Sequence, residues 1–448
     1  MKILEQEKND IKEIWRRIRK KDFSGNSGQA IKNSVYQFST SIVSKLGSLI
    51  FTIILARLLL PELFGLYSLA LSVILMFAVF SELGISSALI KFVSFEFGKG
   101  NEKTASAYLT YFTKIKIFFI FISVIILGIF ANFVANTVYQ KPIFLALLAG
   151  IFYIIFIELT GFLESTIQAY NNFRKIFYKE ILLQILRITF VSLAVILSLK
   201  YSLSKDITLM NIILGLSLAF LFSFLFLFFN IRRKSTIQEK LSIKQKQQIK
   251  KFLVFTSVIS LSGIFFSYID KIMLGYFLDA EFVGYYTAAV SFIGALSPII
   301  GFASIALLPL FTKLKGKQLS IGLKKSVRLT ILVSFIIFSV TILSSYLIIL
   351  IIYGKEYLPA VDILRILSPL IFTIPLIALY TSYFISQNKP QIISKYLIVS
   401  TLINIILNYI LISKLFVYGQ IYSVYGAAIA TIISQVVYLV GLVISKKN

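Results

Sequence analysis

Ala56–Ala70 reads ARLLLPELFGLYSLA, and Gly275–Ala289 reads GYFLDAEFVGYYTAA. Aligned without a gap, they match at Leu59/Leu278, Glu62/Glu281, Gly65/Gly284, Tyr67/Tyr286 and Ala70/Ala289, an offset of 219 residues (278 − 59) in a chain of 448. That offset is close to half the chain. Each segment joins two long apolar runs through a short polar corner, Pro61–Glu62 in one copy and Asp279–Glu281 in the other. The same hairpin of membrane helices thus occurs twice, once near the start of each half.

The composition agrees with a membrane solvent. The chain is 58% hydrophobic and 14% charged, where soluble proteins carry about a quarter charged residues. A helix needs about 20 apolar residues to cross roughly 30 Å of hydrocarbon. Runs of that kind fall at approximately 35–60, 66–90, 108–135, 143–169, 180–199 and 207–230, and again at 252–277, 283–311, 327–353, 360–386, 392–413 and 423–445. The fold class expected is all-α integral membrane, with about twelve transmembrane helices. The chain divides into a basic N-terminal segment (1–34), a six-helix bundle (35–230), a basic linker (231–251) and a second six-helix bundle (252–448). Six spans per half is an even number, so both halves keep the same orientation and are related by a pseudo-two-fold axis along the membrane normal.

The formal net charge is +26. In a soluble chain this would point to nucleic acid; here the cations follow topology, and no nucleic-acid partner is expected. With the N-terminus cytoplasmic, about 35 of the 45 Lys and Arg lie in or beside cytoplasmic segments, as the positive-inside rule requires. The clusters Arg16–Lys21, Arg232–Lys234 and Lys313–Lys325 are prominent. The expectation is a multi-pass cell-membrane protein with both termini cytoplasmic, in contact with membrane lipids. The first 30 residues are polar and basic without a signal-peptide core, so the first span serves as the insertion signal. Ile11, Ile14 or Trp15, and Ile18 fall on one face among Lys12, Arg16 and Arg19. This reads equally as an interfacial amphipathic helix or a disordered basic tail. Residues 236–251 carry the same two readings.

There is no Cys and no His. Disulfides, Cys/His metal sites and imidazole-based catalysis are therefore excluded, and no metal or cofactor is expected. No phosphate-binding glycine loop occurs. The external loops are about ten residues or fewer, too short for the catalytic loop that a polytopic glycosyltransferase or ligase needs. An enzyme is the weakest reading.

Ionisable groups inside spans cost roughly 2.5–3.5 kcal/mol each on insertion scales, so each needs a reason. The first span has a polar stripe of Gln37, Ser41, Ser44 or Lys45, Ser48 and Thr52; the seventh has Thr256, Ser260, Gly263, Ser267, Asp270 and Lys271. At the repeat offset Ser41 aligns with Ser260 and Ser48 with Ser267. Two equivalent polar faces suggest a cavity between the halves, against the alternative of small-residue helix packing. Glu180, Gln184 and Arg187 share a face of the fifth span, as a local polar network or as a substrate-facing surface. Asn404 and Asn408 share a face of the eleventh, where interhelical hydrogen bonding is the simpler reading; Gly426, Ala430 and Ser434 form a close-packing stripe in the twelfth. Lys114 and Lys116 are expected to snorkel to the headgroups. Pro298, Pro369 and Pro375 mark places where helices bend.

Ile54–Tyr67, ILARLLLPELFGLY, resembles a signature of the polysaccharide and oligosaccharide flippases in the multidrug/oligosaccharidyl-lipid/polysaccharide exporter superfamily. So do Glu82–Gly84 (ELG), Ile269–Gly275 (IDKIMLG), Gly284–Ala288 (GYYTA), Leu308–Phe311 (LPLF) and Tyr425–Thr431 (YGAAIAT), in order over roughly residues 35–445. The resemblance implies two six-helix bundles around a central cavity and alternating-access export of a polyprenyl-diphosphate oligosaccharide from the cytoplasmic to the outer leaflet. Some relatives have fourteen spans; about twelve here argues against the peptidoglycan-precursor branch. Independently, a diphosphate in a membrane cavity needs cations, and the spans supply Lys45, Arg57, Arg187, Lys271 and Arg365 as candidate substrate-binding residues. Glu82, Glu158, Glu164 and Asp270 are candidate sites for H⁺ or Na⁺ coupling, or neutralise the basic groups. The alternative within the superfamily is a cation-coupled multidrug exporter, which calls for an acidic cavity. The mixed charge found here does not suit it.

The topology is directly testable because the chain contains no native Cys. Single cysteines placed at 236–246 are expected to resist an impermeant thiol label in intact cells and to react after lysis. Labelling from outside would overturn the N-in, C-in arrangement.

Overall fold

The computed structural model describes residues 25–231, 241–313, 316–387 and 389–447. The proposed N-terminal amphipathic helix and the Arg16–Lys21 and Arg232–Lys234 clusters lie outside them. The described chain is helical throughout, with no strand among those residues. Gly25–Glu82 is a helical hairpin broken at Leu60, giving α1 (25–59) and α2 (61–82). α2 continues after a break at Leu83–Gly84 into α3 (Ile85–Gly98). There follow α4 (Glu102–Asn132), α5 (Phe144–Ala169), α6 (Phe173–Lys200), α7 (Lys205–Asn230), α8 (Ile243–Phe277), α9 (Ala280–Lys313), α10 (Gly316–Leu343), α11 (Ser345–Ile352), α12 (Ala360–Leu367), α13 (Leu370–Ser386), α14 (Pro390–Leu415) and α15 (Gln420–Lys447).

Counting α2 with α3, α10 with α11 and α12 with α13, the described residues form twelve rods. Ten stretches are long and apolar enough to cross a membrane; the first, Lys32–Gly98, holds two rods, and α9 adds the twelfth, apolar over Ala280–Leu296. Two boundaries differ from the sequence reading. The first hairpin has no loop: Leu60 alone, at φ 60° and ψ 172°, reverses the chain, and Pro61 starts the next helix with its φ already suited. The seventh rod begins at Ile243, inside the segment read as linker. A capping box explains this: the Ser242 side chain accepts from the Gln245 backbone and the Gln245 side chain accepts from the Ser242 backbone.

The repeated hairpins meet each other. A methyl group on Gly65 would collide with the Ala280 carbonyl and the Gly284 nitrogen, and one on Gly284 would collide with the Pro61 carbonyl. Ala280 is the repeat equivalent of Pro61 (61 + 219), so the two contacts are the same contact seen from each half. This reciprocity is what a two-fold relation between halves produces. Around it a single apolar core takes residues from both halves, including Leu55, Phe64, Leu66, Leu274, Val283 and Tyr286. Tyr357 donates to the Ala56 carbonyl at 2.9 Å, Lys141 to the Gly275 carbonyl at 2.7 Å, and Arg57 to the Ile351 and Ile352 carbonyls. The last two cations cap the C-terminal ends of α8 and α11, where unpaired carbonyls carry negative potential.

At the opposite end, which carries the linker, the buried clusters separate. One contains Leu89, Phe112 and Ile249; the other contains Leu323, Phe384 and Leu442 from the second half. The halves still touch there through α8. Gly84, at φ +75°, leaves room for Thr256, and Ser257 donates to the Leu83 carbonyl at 3.0 Å. The small-residue stripe of the last rod packs closely as expected: Gly426 abuts the Leu411 backbone, and the Ser434 carbonyl accepts from Ser400.

The glycine crossing yields a direct expectation. Gly65→Val or Gly284→Val inserts bulk between two backbones, and overpacking of this kind costs about 1–3 kcal/mol or more. Either variant should lower the thermal unfolding temperature of the purified protein. A wild-type melting profile in both would contradict the crossing.

Candidate functional site

Three buried polar systems account for most of the intramembrane charge. In the first half, Lys116 of α4 is 1% exposed and bridges Glu82 of α2 at 2.7 Å and Glu158 of α5 at 2.5 Å. Ser86 adds backbone and hydroxyl donors to Glu82 at 3.1 and 2.9 Å. The expected snorkelling of Lys116 is therefore corrected: a buried ammonium in hydrocarbon needs carboxylates, and these two lie across the bundle rather than at the surface. Lys114, two residues away, is exposed as expected. The second system repeats the device. Lys179 of α6 is 2% exposed and pairs with Glu164 at 2.6 Å and Glu180 at 2.9 Å; Gln184 donates to Glu180 at 2.6 Å. Glu82, Glu158 and Glu164 thus each sit against a lysine.

The third system lies in the second half and differs in kind. Asp270 of α8 is buried and accepts only from neutral donors: Tyr286 of α9 at 2.6 Å, Thr431 of α15 at 2.7 Å and Asn408 of α14 at 2.7 Å. Both amide atoms of Asn404 and the Oδ1 of Asn408 are buried without a partner. The Ala427 carbonyl, 3.0 Å from the Thr431 hydroxyl, is the alternative acceptor for that hydroxyl's single hydrogen. A carboxylate, amide oxygens, a hydroxyl and a carbonyl form a set of hard oxygen donors suited to a monovalent cation or a proton. Asp270, Tyr286 and Thr431 come from three of the sequence segments quoted above, IDKIMLG, GYYTA and YGAAIAT. The tyrosine and threonine were not singled out beforehand; what brings them together is the packing of α9 and α15 on α8.

Between these systems stands Arg187. Its guanidinium lies 4.5 Å over the Phe51 ring of α1. Its Nε and Nη2 are buried and make no hydrogen bond. The phenols of Tyr67 (α2) and Tyr153 (α5) lie within its electrostatic range, and Tyr268 of α8 lies within range of both phenols. The Lys271 ammonium is 5.9 Å from the Tyr268 ring. The structure therefore brings Arg187 and Lys271 to one tyrosine cluster from opposite halves. Lys45 is exposed on α1 and forms no ion pair among the described residues. Its neighbour Ser44 instead serves the Glu180 carboxylate. Arg57 and Arg365 are placed elsewhere. Arg57 holds α11 at the far end, as described above. Arg365 bonds Asp362 and Ser345 at 3.0 and 2.8 Å within its own half.

Residues 30–315 match the family described as "Polysaccharide biosynthesis protein". The chain belongs to this family. No curated protein matches its sequence. Among solved structures, the fold is similar to that of a lipid II flippase, MurJ, in an inward closed conformation, with TM-score 0.71 and 19% identity over 92% of this chain and 87% of that one. It is similar to an inward-facing multidrug-resistance MATE transporter of the MOP superfamily, with TM-score 0.59 and 13% identity over 93% and 96%. A MOP-superfamily transporter from Pyrococcus furiosus, with a binding pocket of reverse polarity, matches at TM-score 0.55 and 11% identity over 95% of this chain and 96% of that one. The fold is that of the MOP-superfamily transporters, all-helical and membrane-embedded.

Breaking one of the lysine clusters gives a measurable effect. Lys116→Met leaves two partly buried carboxylates facing each other and should destabilise the protein by about 3 kcal/mol, the lower end of the range for breaking a buried pair. Adding Glu82→Gln and Glu158→Gln to it should recover most of that loss. A Lys116→Met protein as stable as wild type would show that the cluster is not held as described.

Proposed function

We propose that this protein is a flippase that carries a lipid-linked oligosaccharide of the polyprenyl-diphosphate class from the cytoplasmic to the outer leaflet of the cell membrane. The observation that carries the reading is Arg187, whose Nε and Nη2 are buried and have no hydrogen-bond partner among the described residues. An unmade charged hydrogen bond is costly, and the natural complement of a free guanidinium edge is a phosphate oxygen pair. Lys271 adds a second cation from the other half. Membership of a polysaccharide-biosynthesis family and the fold shared with a lipid II flippase support the same substrate class.

The linker end is cytoplasmic in this reading, on the strength of its Lys and Arg excess. The two six-helix halves (35–230 and 252–448) act as the moving bodies. The halves close over the tyrosine cluster at the hairpin end and part at the linker end, so the anionic headgroup enters from the cytoplasm. Unaided passage of such a headgroup through hydrocarbon is prohibitively costly; the prenyl tail needs no polar path and stays in the bilayer. Asp270 binds the coupling ion, H⁺ or Na⁺, because it is the intramembrane carboxylate in this set whose partners are all neutral. The multidrug reading is weaker: cationic drugs need acidic groups at the centre, and Arg187 and Lys271 stand there instead.

In a host lacking its own exporter of this kind, the wild-type gene should restore surface glycan. Arg187→Gln should reach the membrane in normal amount and restore glycan about tenfold less well, the effect of losing one charge-assisted bond or more. Asp270→Asn should remove any dependence on the ion gradient. Full glycan display with Arg187→Gln, or drug resistance conferred by the wild type without glycan export, would overturn the proposal.

A further inference from the structure

A second concave site lies apart from Arg187, at the linker end of the first half. It encloses about 260 Å³ between the start of α1 and the turn joining α5 to α6. Gln29, Lys32, Asn33 and Tyr36 form one wall; their spacing of three, four and seven residues puts them on one face of α1. Asn171, Asn172 and Arg174 form the other, with Tyr170 and Phe173 between. Two cations line the space and no carboxylate does. Lys32 and Arg174 make no ion pair among the described residues, although both are within reach of the cavity. The Arg174 guanidinium is 5.5 Å from the Tyr178 ring, which positions it without neutralising it. α6 begins here with Asn172 as its N-cap, and that side chain makes no capping bond, so the first amides of α6 add to the positive potential. The aromatic walls are fixed from behind: Tyr36 packs on Phe177 at 5.8 Å and Tyr170 edge-to-face on Phe97 at 4.8 Å. Glu102, the acidic group in electrostatic range of Tyr170, is not among the lining residues.

We propose that this pocket holds the phosphate of a membrane-lipid headgroup at the linker end of the first half. Two cations, asparagine amides and an uncapped helix start give a surface rich in hydrogen-bond donors and free of carboxylates, which favours an anion with several oxygens. At about 260 Å³ the space has room for a phosphate group, with the rest of the ligand outside the open side of the cleft. A position at the ends of three membrane rods, α1, α5 and α6, with Val35 and Tyr178 exposed beside it, favours a phosphate carried on a lipid over a soluble one. The phosphate is supplied by a bulk anionic phospholipid or by the diphosphate of a prenyl-linked lipid. In the second case the site is where the transported headgroup first docks, a consequence that rests on the function proposed above.

The test is native mass spectrometry of the delipidated full-length protein titrated with dioleoylphosphatidylglycerol, dioleoylphosphatidylcholine, farnesyl diphosphate and inorganic phosphate. The wild type should bind the anionic lipids in preference to phosphatidylcholine. Lys32→Gln with Arg174→Gln should weaken that binding about tenfold or more, the loss expected for one charged hydrogen bond. Lys395→Gln, an exposed cation at the same end of the other half, should not. Tighter binding of farnesyl diphosphate assigns the site to the prenyl-linked lipid, and tighter binding of phosphatidylglycerol to bulk lipid. Equal binding by wild type and double variant overturns the proposal, as does binding of inorganic phosphate alone. Should the double variant not fold, Lys32→Gln alone decides the matter on the same readout, with Lys32→Arg expected to bind as wild type does. Surface-glycan display is measured separately: a lost lipid site with intact export removes the docking consequence, and no export by the wild type with intact lipid binding counts against the flippase reading alone.

Discussion

The structure depends on one close approach of backbones. Gly65 lies against Ala280 and Gly284, and Gly284 against Pro61, so the two hairpins cross where neither helix has a side chain. Membrane helices gain no hydrophobic drive from meeting each other, and small residues that admit close packing supply the attraction instead. The crossing fixes the two-fold relation of the halves, buries the shared core at the hairpin end, and sets α1, α2, α8 and α9 around a common axis. Arg57 and Lys141 reach across that axis to helix ends whose carbonyls would otherwise be bare. These contacts are polar and few, while the linker end is joined chiefly through α8.

Charge is distributed unequally about that axis. In the first half, two lysines each neutralise a pair of glutamates, and the four carboxylates have partners without any outside ion. In the second half Asp270 has only neutral donors, and Asn404 and Asn408 keep unpaired oxygens beside it. Among the described residues the Nε and Nη2 of Arg187 have no hydrogen-bonding partner. Under the function proposed above, the open oxygens beside Asp270 and the open nitrogens of Arg187 are where a coupling ion and a phosphate would bind. They suit a molecule whose missing partners arrive and leave.

Much of this was legible in the sequence. Hydropathy placed the spans, and the even count in each half followed from them. The 219-residue repeat located the crossing glycines, because Gly65 and Gly284 are matched positions. The stripe containing Glu180, Gln184 and Arg187 was visible at helical spacing, and two of the three do form one network. What the sequence did not show was tertiary partnership. Lys116 sits in an apolar run near a span end, so snorkelling was the local reading; only the positions of α2 and α5 reveal the two glutamates it meets. Arg57 and Arg365 carry the same charge as Arg187 within apolar runs, yet packing gives both of them carbonyl, hydroxyl or carboxylate acceptors. One-dimensional patterns list the ionisable groups but not which of them remain unpaired after folding.

The central claim is that the halves pivot about the hairpin crossing, so that the two ends of the molecule open in alternation. The chain has no native Cys, which allows spin labels at chosen pairs. Double electron–electron resonance on Lys103→Cys with Lys325→Cys reads the linker end, and Ser202→Cys with Lys355→Cys reads the hairpin end. Adding the coupling ion or a polyprenyl-diphosphate glycan should shorten one distance while lengthening the other. Distances that stay fixed under every condition, or that change together, would contradict the account.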